Sequence, residues 1–552
     1  MSHRPQSRRT SVRRAGVAAV AASVALTGAL AGGVVAPASA APLTAPASAD
    51  PRPANAAAGW LASELGADGL LTYDSGFGDF RDVGLSIDAG LALAAAGGRT
   101  GAVSSILGGL EDALGSYIAY EDTRYAGSTA KAAAFVLETG NDPATFSADV
   151  DLVERLESHV LTDEPVAGRL ADHFDPDSEF GADYANTIGQ TFATRVLTTA
   201  GSDLADEVTG FLLDQQCEAG YFRLYFADQD AAGQTCDDAP PAGTPTADTT
   251  ALAVIQLSAI EQPSDEVSEA IDDAVAWMLT QQQTGGGFLD NDTLNANTTG
   301  LAGWALAVAG EDAAAARAAG VLRALQGATI APCIDALETD RGAVALDPAA
   351  LAAGRKDGVT TATRGQWLRA TAQAVPALAW APAGGTAAVK APEWARAGKQ
   401  VAVRASGFAP GETVCVQVGA NERQVTATVG GVVRASVPVQ AKPARRVVRV
   451  VGDSGEQAQT RVKAIKAKKL RVQVAKRPLR AGAVQRIVVR GLAAGEPVRI
   501  FVRGKRIAAG TAGPKGAFQK RVRITKAGPA RVRVVGQFPQ LRKGAAAFRV
   551  VR

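Results

Sequence analysis

Eight polar or aromatic side chains stand at the starts of helical segments otherwise built from Ala and Leu: Asp88, Lys131, Tyr184, Gln190, Asp248, Asn297, Arg364 and Gln366. Tyr184 just precedes its helix, and the others lie at or within two turns of a start. Donors and acceptors at converging helix N-termini suit an anionic or hydroxyl-rich small ligand, because free N–H groups and the helix dipole favour negative charge there. The plainer role for the same residues is to cap helices and solvate a rim. Asp248 is the carboxyl placed for acid catalysis. At a wet helix N-terminus the dipole should lower its pKa, the wrong direction for a strong general acid, so a capping role is expected.

Other chemistries lack their parts. There is no CxxC or Cys/His cluster, and beyond the first 40 residues the histidines are His159 and His173, both outside the Ala/Leu-rich helices. No metal and no cofactor is expected, and no serine–histidine or cysteine–histidine pair suggests a hydrolase. Cys217 and Cys236 bracket one loop and read as a local disulfide, worth about 3 kcal/mol in the chain-entropy model. Cys333 and Cys415 are expected not to pair. They fall in different domains, and the last helix should leave the helical domain about 30 Å from the loop that holds Cys333.

The elements that position these residues repeat six times. A helix, a Gly-containing turn and an Ala/Leu-rich helix opening with small polar residues recur about every 50 residues. The second helices open at Ser86-Ile87-Asp88, Gly127-Ser128-Thr129, Asn186-Thr187-Ile188, Asp248-Thr249-Thr250, Asn297-Thr298-Thr299 and Thr360-Thr361-Ala362. They are apolar nearly all round and should be inner helices. The first helices, expected at 56–65, 103–117, 147–161, 204–216, 266–282 and 312–326, carry one apolar face and should lie outside. No single hairpin can bury its apolar face alone, and six can close into a ring. From residue 381 the period changes to two, as in Val401-Ala402-Val403-Arg404, which marks strands. This part is duplicated: Gly407-Phe408-Ala409-Pro410-Gly411-Glu412 returns as Gly491-Leu492-Ala493-Ala494-Gly495-Glu496.

The expected architecture is therefore multidomain, an all-α (α/α)6 toroid followed by two all-β sandwiches. Residues 1–40 form a signal peptide, with Arg8, Arg9, Arg13 and Arg14 before an apolar run and Ala38-Ser39-Ala40 as a cleavage site. Ala47-Ser48-Ala49 is a second candidate. A Pro/Ala-rich linker spans 41–55, the toroid 56–380, and the sandwiches 385–462 and 466–552. No later stretch is apolar enough to span a bilayer.

The helical half resembles the prenyltransferase and squalene cyclase repeat superfamily. The likeness is carried by Gln281-Gln282-Gln283-Thr284-Gly285-Gly286-Gly287-Phe288, Gln215-Gln216-Cys217-Glu218-Ala219-Gly220-Tyr221-Phe222 and Asp248-Thr249-Thr250-Ala251, and covers about 320 residues. The β-half resembles bacterial Ig-like repeats with a Gly-Phe-x-Pro-Gly-Glu turn. The resemblance implies a fold and a choice of activities, since the superfamily holds cyclases, protein prenyltransferases, thioester proteins and vitamin carriers. Of the cyclase Asp-x-Asp-Asp motif, Thr246-Ala247-Asp248-Thr249 keeps the central Asp248 alone. The zinc ligands, the Asp-rich metal motif and the thioester motif of the other branches are missing.

Charge supplies the remaining clue. The net +2 hides a split: residues 41–380 hold 16 Lys+Arg against 49 Asp+Glu, and residues 381–552 hold 36 against 6. Such a surplus of positive charge points to a polyanion partner. Few aromatics interleave with the charges, so nucleic acid is not expected. In a secreted chain, the expected partner is an anionic envelope polymer or anionic lipid surface. The sequence thus reads as an exported, non-catalytic binding or cell-envelope-associated protein. A diverged terpene cyclase or prenyltransferase-like enzyme and an extracellular small-molecule carrier, with its ligand in the toroid, are the alternatives.

Overall fold

The computed structural model describes residues 43–177, 181–238, 245–328, 330–475 and 477–552, so the expected signal peptide lies outside the described residues. The described residues form one compact unit. In chain order its helices are α1 (Arg52–Ser63), α2 (Val83–Ala96), α3 (Thr100–Ile118), α4 (Ala126–Glu138), α5 (Leu152–Glu157), α6 (Thr187–Ala200), α7 (Ala205–Asp214), α8 (Ala247–Leu257), α9 (Asp265–Gln281), α10 (Ala296–Val308), α11 (Asp312–Leu325), α12 (Pro348–Asp357) and α13 (Thr361–Leu378). The expected third outer helix shrinks to α5, because the Asp151 carboxylate caps the amides of Val153 and Glu154 and starts the helix there. Helix α12 was not expected. Asp347 caps it and Pro348 takes its first turn, a start signal that stands inside a loop by spacing alone.

Helices α2, α4, α6, α8, α10 and α13 contact one another in that order, and α13 returns to α2. Neighbours run in the same direction, the first four in register, whereas Gly300 of α10 packs on Gln373 O of α13, so that α13 starts about two turns ahead of α10. Asp88 of α2 meets Lys131 of α4, Gly127 of α4 abuts Gly189 of α6, and Arg195 of α6 bonds Gln256 of α8. All six therefore begin at one end of the domain. Glutamines at the ends of outer helices join the repeats. Gln216 Nε2 donates to Gly220 O and to Ala270 O of α9, and Gln282 Nε2 to Gly286 O and Ala314 O of α11, all at 2.9 Å. Gln326 Nε2 donates to Gly342 O at 3.0 Å and to Pro53 O of α1 at 2.9 Å, which ties the sixth repeat back to the first. The turn glycines have positive φ, and their α-carbons press on the next outer helix. A Cβ on Gly286 would lie 2.5 Å from Arg317 O, and one on Gly342 2.2 Å from Ala56 O.

Hydroxyls in the first turns of α2, α8 and α10, and Thr371 midway along α13, are spent on the same junctions. Ser86, Thr250, Thr299 and Thr371 accept from the amides of Leu71, Phe222, Phe288 and Val344, at 2.8 to 3.0 Å. Three short ribbons lead into α2, α4 and α10. They are β1 (Leu71–Asp74) with β2 (Asp79–Asp82), β3 (Ala119–Tyr120) with β4 (Thr123–Arg124), and β5 (Leu289–Asp290) with β6 (Thr293–Leu294). Segment 41–55 is not a free linker. Helix α1 begins at Arg52, Leu43 N donates to Ala95 O at 3.0 Å, and Asp50 N donates to Ala381 O at 2.7 Å.

The β-rich part holds two eight-stranded domains. The first comprises β7 (Ala388–Lys390), β8 (Trp394–Arg396), β9 (Gln400–Ser406), β10 (Thr413–Val418), β11 (Asn421–Thr426), β12 (Val432–Pro438), β13 (Ala444–Gly452) and β14 (Gln457–Ile465). Its sheets run β11-β10-β13-β14-β8 and β12-β9-β7. The second comprises β15 (Arg471–Gln473), β16 (Leu479–Arg480), β17 (Val484–Arg490), β18 (Pro497–Val502), β19 (Lys505–Thr511), β20 (Ala517–Arg523), β21 (Gly528–Val535) and β22 (Lys543–Val551). Its sheets, β19-β18-β21-β22-β16 and β20-β17-β15, repeat the same order strand for strand. In each domain a valine-rich core fills the space between the sheets. The repeated glutamate has the same task twice. Glu412 is buried and accepts from Ala409 N and Ser454 N, and Glu496 is buried and accepts from Ala493 N and Gln537 N.

One expectation fails here. Cys333 and Cys415 form a disulfide, with Cα atoms 5.6 Å apart. The chain does leave α13 far from Cys333, but the first β-domain runs back along α11. Gly411 packs on Gly320 O, Gln424 Nε2 donates to Ala328 O at 3.0 Å, and buried Arg323 pairs with Asp50 at 3.1 Å and Asp453 at 3.4 Å. A strand of six residues extends about 20 Å, enough to recover most of the helix length. Cys217 and Cys236 are bonded as expected.

Candidate functional site

At the end where the inner helices begin, the eight candidate residues do not converge on one point. Asp88 and Lys131 form an ion pair of 2.6 Å. Burial works against the Lys131 ammonium, but the Asp88 carboxylate prevails and holds its pKa above the ordinary lysine value. Lys131 and exposed Tyr184 both line a cavity between α4 and α6, of about 260 Å³, with Tyr117, Tyr125, Asp172 and Phe192. Gln190 is not on a rim. It is fully buried and structural: Nε2 donates to Gly168 O and Val208 O, and Oε1 accepts from Leu170 N. Arg364 pairs with Glu64, and Gln366 is exposed. Asn297 does not cap α10. Asn295 does, and Asn297 Oδ1 is buried without a hydrogen bond.

Asp248 departs furthest from expectation. The N-cap position of α8 is Thr246, whose side chain makes no capping bond, and Asp248 sits in the first turn. Burial pushes its pKa up to about 6, and repulsion from Asp290 adds to this. The Thr298 hydroxyl relieves part of the shift but is not in hydrogen-bond geometry with Asp248 Oδ1, which has no partner. Desolvation outweighs the helix dipole because Asp248, although only half-buried, has its Oδ1 shielded from water without a hydrogen bond.

The opposite end holds what the sequence reading missed. A cavity of about 360 Å³ opens where the inner helices end. Five inner helices contribute, through Leu91, Glu138, Arg195, Gln256 and Trp304, and Trp380 follows two residues after the end of α13. Leu43 and Thr44 lie across it. Arg195 is buried and donates to Gln256 Oε1 at 3.0 Å and Glu138 Oε2 at 2.6 Å. The volume falls in the range of small-molecule sites, and aromatic walls with one polar cluster suit an apolar ligand with a single polar group. Its signal in the sequence is the polar residues late in otherwise apolar inner helices, Glu138, Arg195 and Gln256.

The second β-domain presents a different surface. Residues 466–552 contain 24 Lys+Arg and one acid, Glu496. That acid is buried and bonded to Arg542 at 2.6 and 2.7 Å, so it neutralises nothing at the surface. On the outer face of β15-β17-β20, Arg471 stands opposite Arg490 and Arg486 opposite Arg521. All four are exposed.

Among the described residues no helix is long and apolar enough to cross a membrane. No protein-family model matches the chain, and no curated protein does. Solved structures resemble parts of it. A protein from Actinoplanes is 18% identical, with a TM-score of 0.40 over 60% of this chain and 98% of that one. The type II terpene cyclase MstE from Scytonema is 15% identical, with a TM-score of 0.41 over 59% of this chain and 97% of that one. The Yersinia pseudotuberculosis adhesin InvE is 13% identical, with a TM-score of 0.18 over 30% of this chain and 59% of that one. Likeness of this size carries no argument about activity.

Proposed function

We propose that this is an exported, non-catalytic binding protein in which a closed α/α toroid carries two Ig-like domains, the second gripping an anionic polymer of the cell envelope. Two disulfides favour an oxidising compartment. The observation that carries the reading is the second β-domain's uncompensated charge, with arginines facing arginines across adjacent strands. Like charges directly opposite destabilise a sheet, and a bound polyanion would supply the missing countercharge. The test is co-sedimentation of the mature chain with wall polymer carrying phosphate, at low and high salt. Binding should weaken steeply with salt, and replacing Arg471, Arg486, Arg490 and Arg521 by Ser should flatten that slope. Salt-independent binding, or none at low salt, refutes the reading. Binding to anionic vesicles but not to the polymer would assign a lipid surface instead.

The raised pKa of Asp248 favours one second reading, a cyclase-like enzyme with Asp248 as proton donor. Against it, Asp248 lies seven residues before Ile255 of the cavity lining, about 10 Å along α8. Turnover of squalene or a prenyl diphosphate that Asp248→Asn abolishes would establish it. Tight binding of an apolar ligand without turnover would favour the carrier reading.

A further inference from the structure

The large apolar side chains that the helical domain leaves exposed follow the repeat. Phe77 and Phe80 stand in the connection before α2, Tyr120 before α4, Tyr184 before α6, Tyr225 before α8, Leu289 before α10, and Ile334 before α12 and α13. Among the described residues every repeat places one or two there, and Leu279 in α9 is the exception elsewhere in the domain. Phe77 is fully exposed, Tyr225 67% and Tyr120 61%. Single exposed side chains are ordinary, but their return at the same place in every repeat lines that end of the domain with apolar surface. Because all six inner helices begin at one end, these side chains share one rim. The described residues of the same connections (64–82, 119–125, 158–186, 215–246, 282–295 and 326–347) hold 24 acids and five basic residues.

Aromatic rings set among carboxylates are the complement of arginine, whose guanidinium stacks on a ring face while its N–H groups bond a carboxylate. The rim already contains one such contact. Arg169 lies 4.9 Å from the Phe226 ring centroid, and its Nη2 donates to Asp183 at 3.1 Å. The chain also carries a surface with matching chemistry, the arginine face of β15-β17-β20. Among the described residues, the one ion pair of that domain is internal, Arg542 with Glu496.

We propose that the rim of one copy receives the arginine face of the second β-domain of another, so that copies associate head to tail. This rests on the reading above in one respect, that the arginine face binds anions, and adds the rim as its partner. The contact is heterologous. Each copy added leaves one rim and one arginine face free, so association is open-ended unless the rotation closes a ring. Soluble polyanion competes for the arginine face and dissolves the assembly.

Sedimentation velocity of the full mature chain tests this at several protein concentrations, in low salt and in salt high enough to screen exposed charges. Mass should rise with concentration at low salt and fall to the monomer at high salt. Tyr120→Ser with Tyr225→Ser should weaken association at least tenfold while leaving circular dichroism and Tm unchanged. Arg486→Glu with Arg521→Glu should do the same. A mixture of the two double variants retains one intact rim and one intact arginine face, so it should stop at one-to-one pairs. A chain that stays monomeric at low salt, or association that survives the tyrosine substitutions, overturns the proposal. Polyphosphate binding separates the two readings, because the tyrosine variant should still bind it. Loss of self-association alone sinks the rim contact, and loss of polyphosphate binding by the unaltered chain sinks both.

Discussion

Replacing Asp248 by Asn should stabilise the protein, the opposite of what a capping aspartate would do. In the folded chain the carboxyl is pushed up to about 6, against 3.8 for the free side chain. Between these values the folded state binds more protons than the unfolded one, so stability falls as pH rises through the window. Above it the fold holds a carboxylate that its surroundings solvate poorly. Two pKa units correspond to about 3 kcal/mol. Asn keeps the shape and never ionises. The variant should therefore exceed the parent by up to about 3 kcal/mol at pH 8, and by about 1 kcal/mol at pH 4.5, where the parent's acid is mostly protonated in the fold. Urea unfolding followed by circular dichroism at 222 nm reads the helical domain directly. A pH-independent loss of about 1 kcal/mol, the cost of removing a cap, would refute the desolvation argument.

His159 should give the opposite pH dependence. It is buried, its Nδ1 lies 2.9 Å from Ala171 O, and burial lowers its pKa to about 4. Its contribution is present above about pH 6.5 and lost as pH falls towards 4, so His159→Phe should flatten the acid side of a Tm profile. Peptide mapping without reductant should recover Cys217 joined to Cys236 and Cys333 joined to Cys415. The second bond spans 82 residues, so Cys415→Ser should cost about 4 to 5 kcal/mol in the chain-entropy model, read as a lower urea midpoint. N-terminal sequencing of the protein outside the cytoplasm should find a start near Ala41 or Asp50; retention of residues 1–40 would refute export.

Much of the helical part was legible because its signals are local. Apolar periodicity marked the inner and outer helices, and Asp82, Asn186, Asn295 and Thr360 lie where helix starts need an acceptor. Duplication of the Gly-Glu turn foretold two β-domains, and their strand orders coincide. The Gln and Gly residues that carried the family resemblance bridge successive repeats, so they speak for the fold and say nothing of a reaction.

What spacing could not supply was the environment of each polar group. Gln190 and Asp248 look alike in the sequence, each a polar residue near the start of an apolar helix. One satisfies three backbone groups deep in a junction, and the other is a half-buried carboxyl with one oxygen shielded from water and unbonded, and only the packing of neighbouring helices separates them. The Cys333–Cys415 bond and the cavity lined by five inner helices join residues far apart in the chain. Helix and strand follow from short-range periodicity and capping, which the order of residues states outright. Burial, pKa and the meeting of distant side chains depend on how completed elements pack, and that is decided in three dimensions.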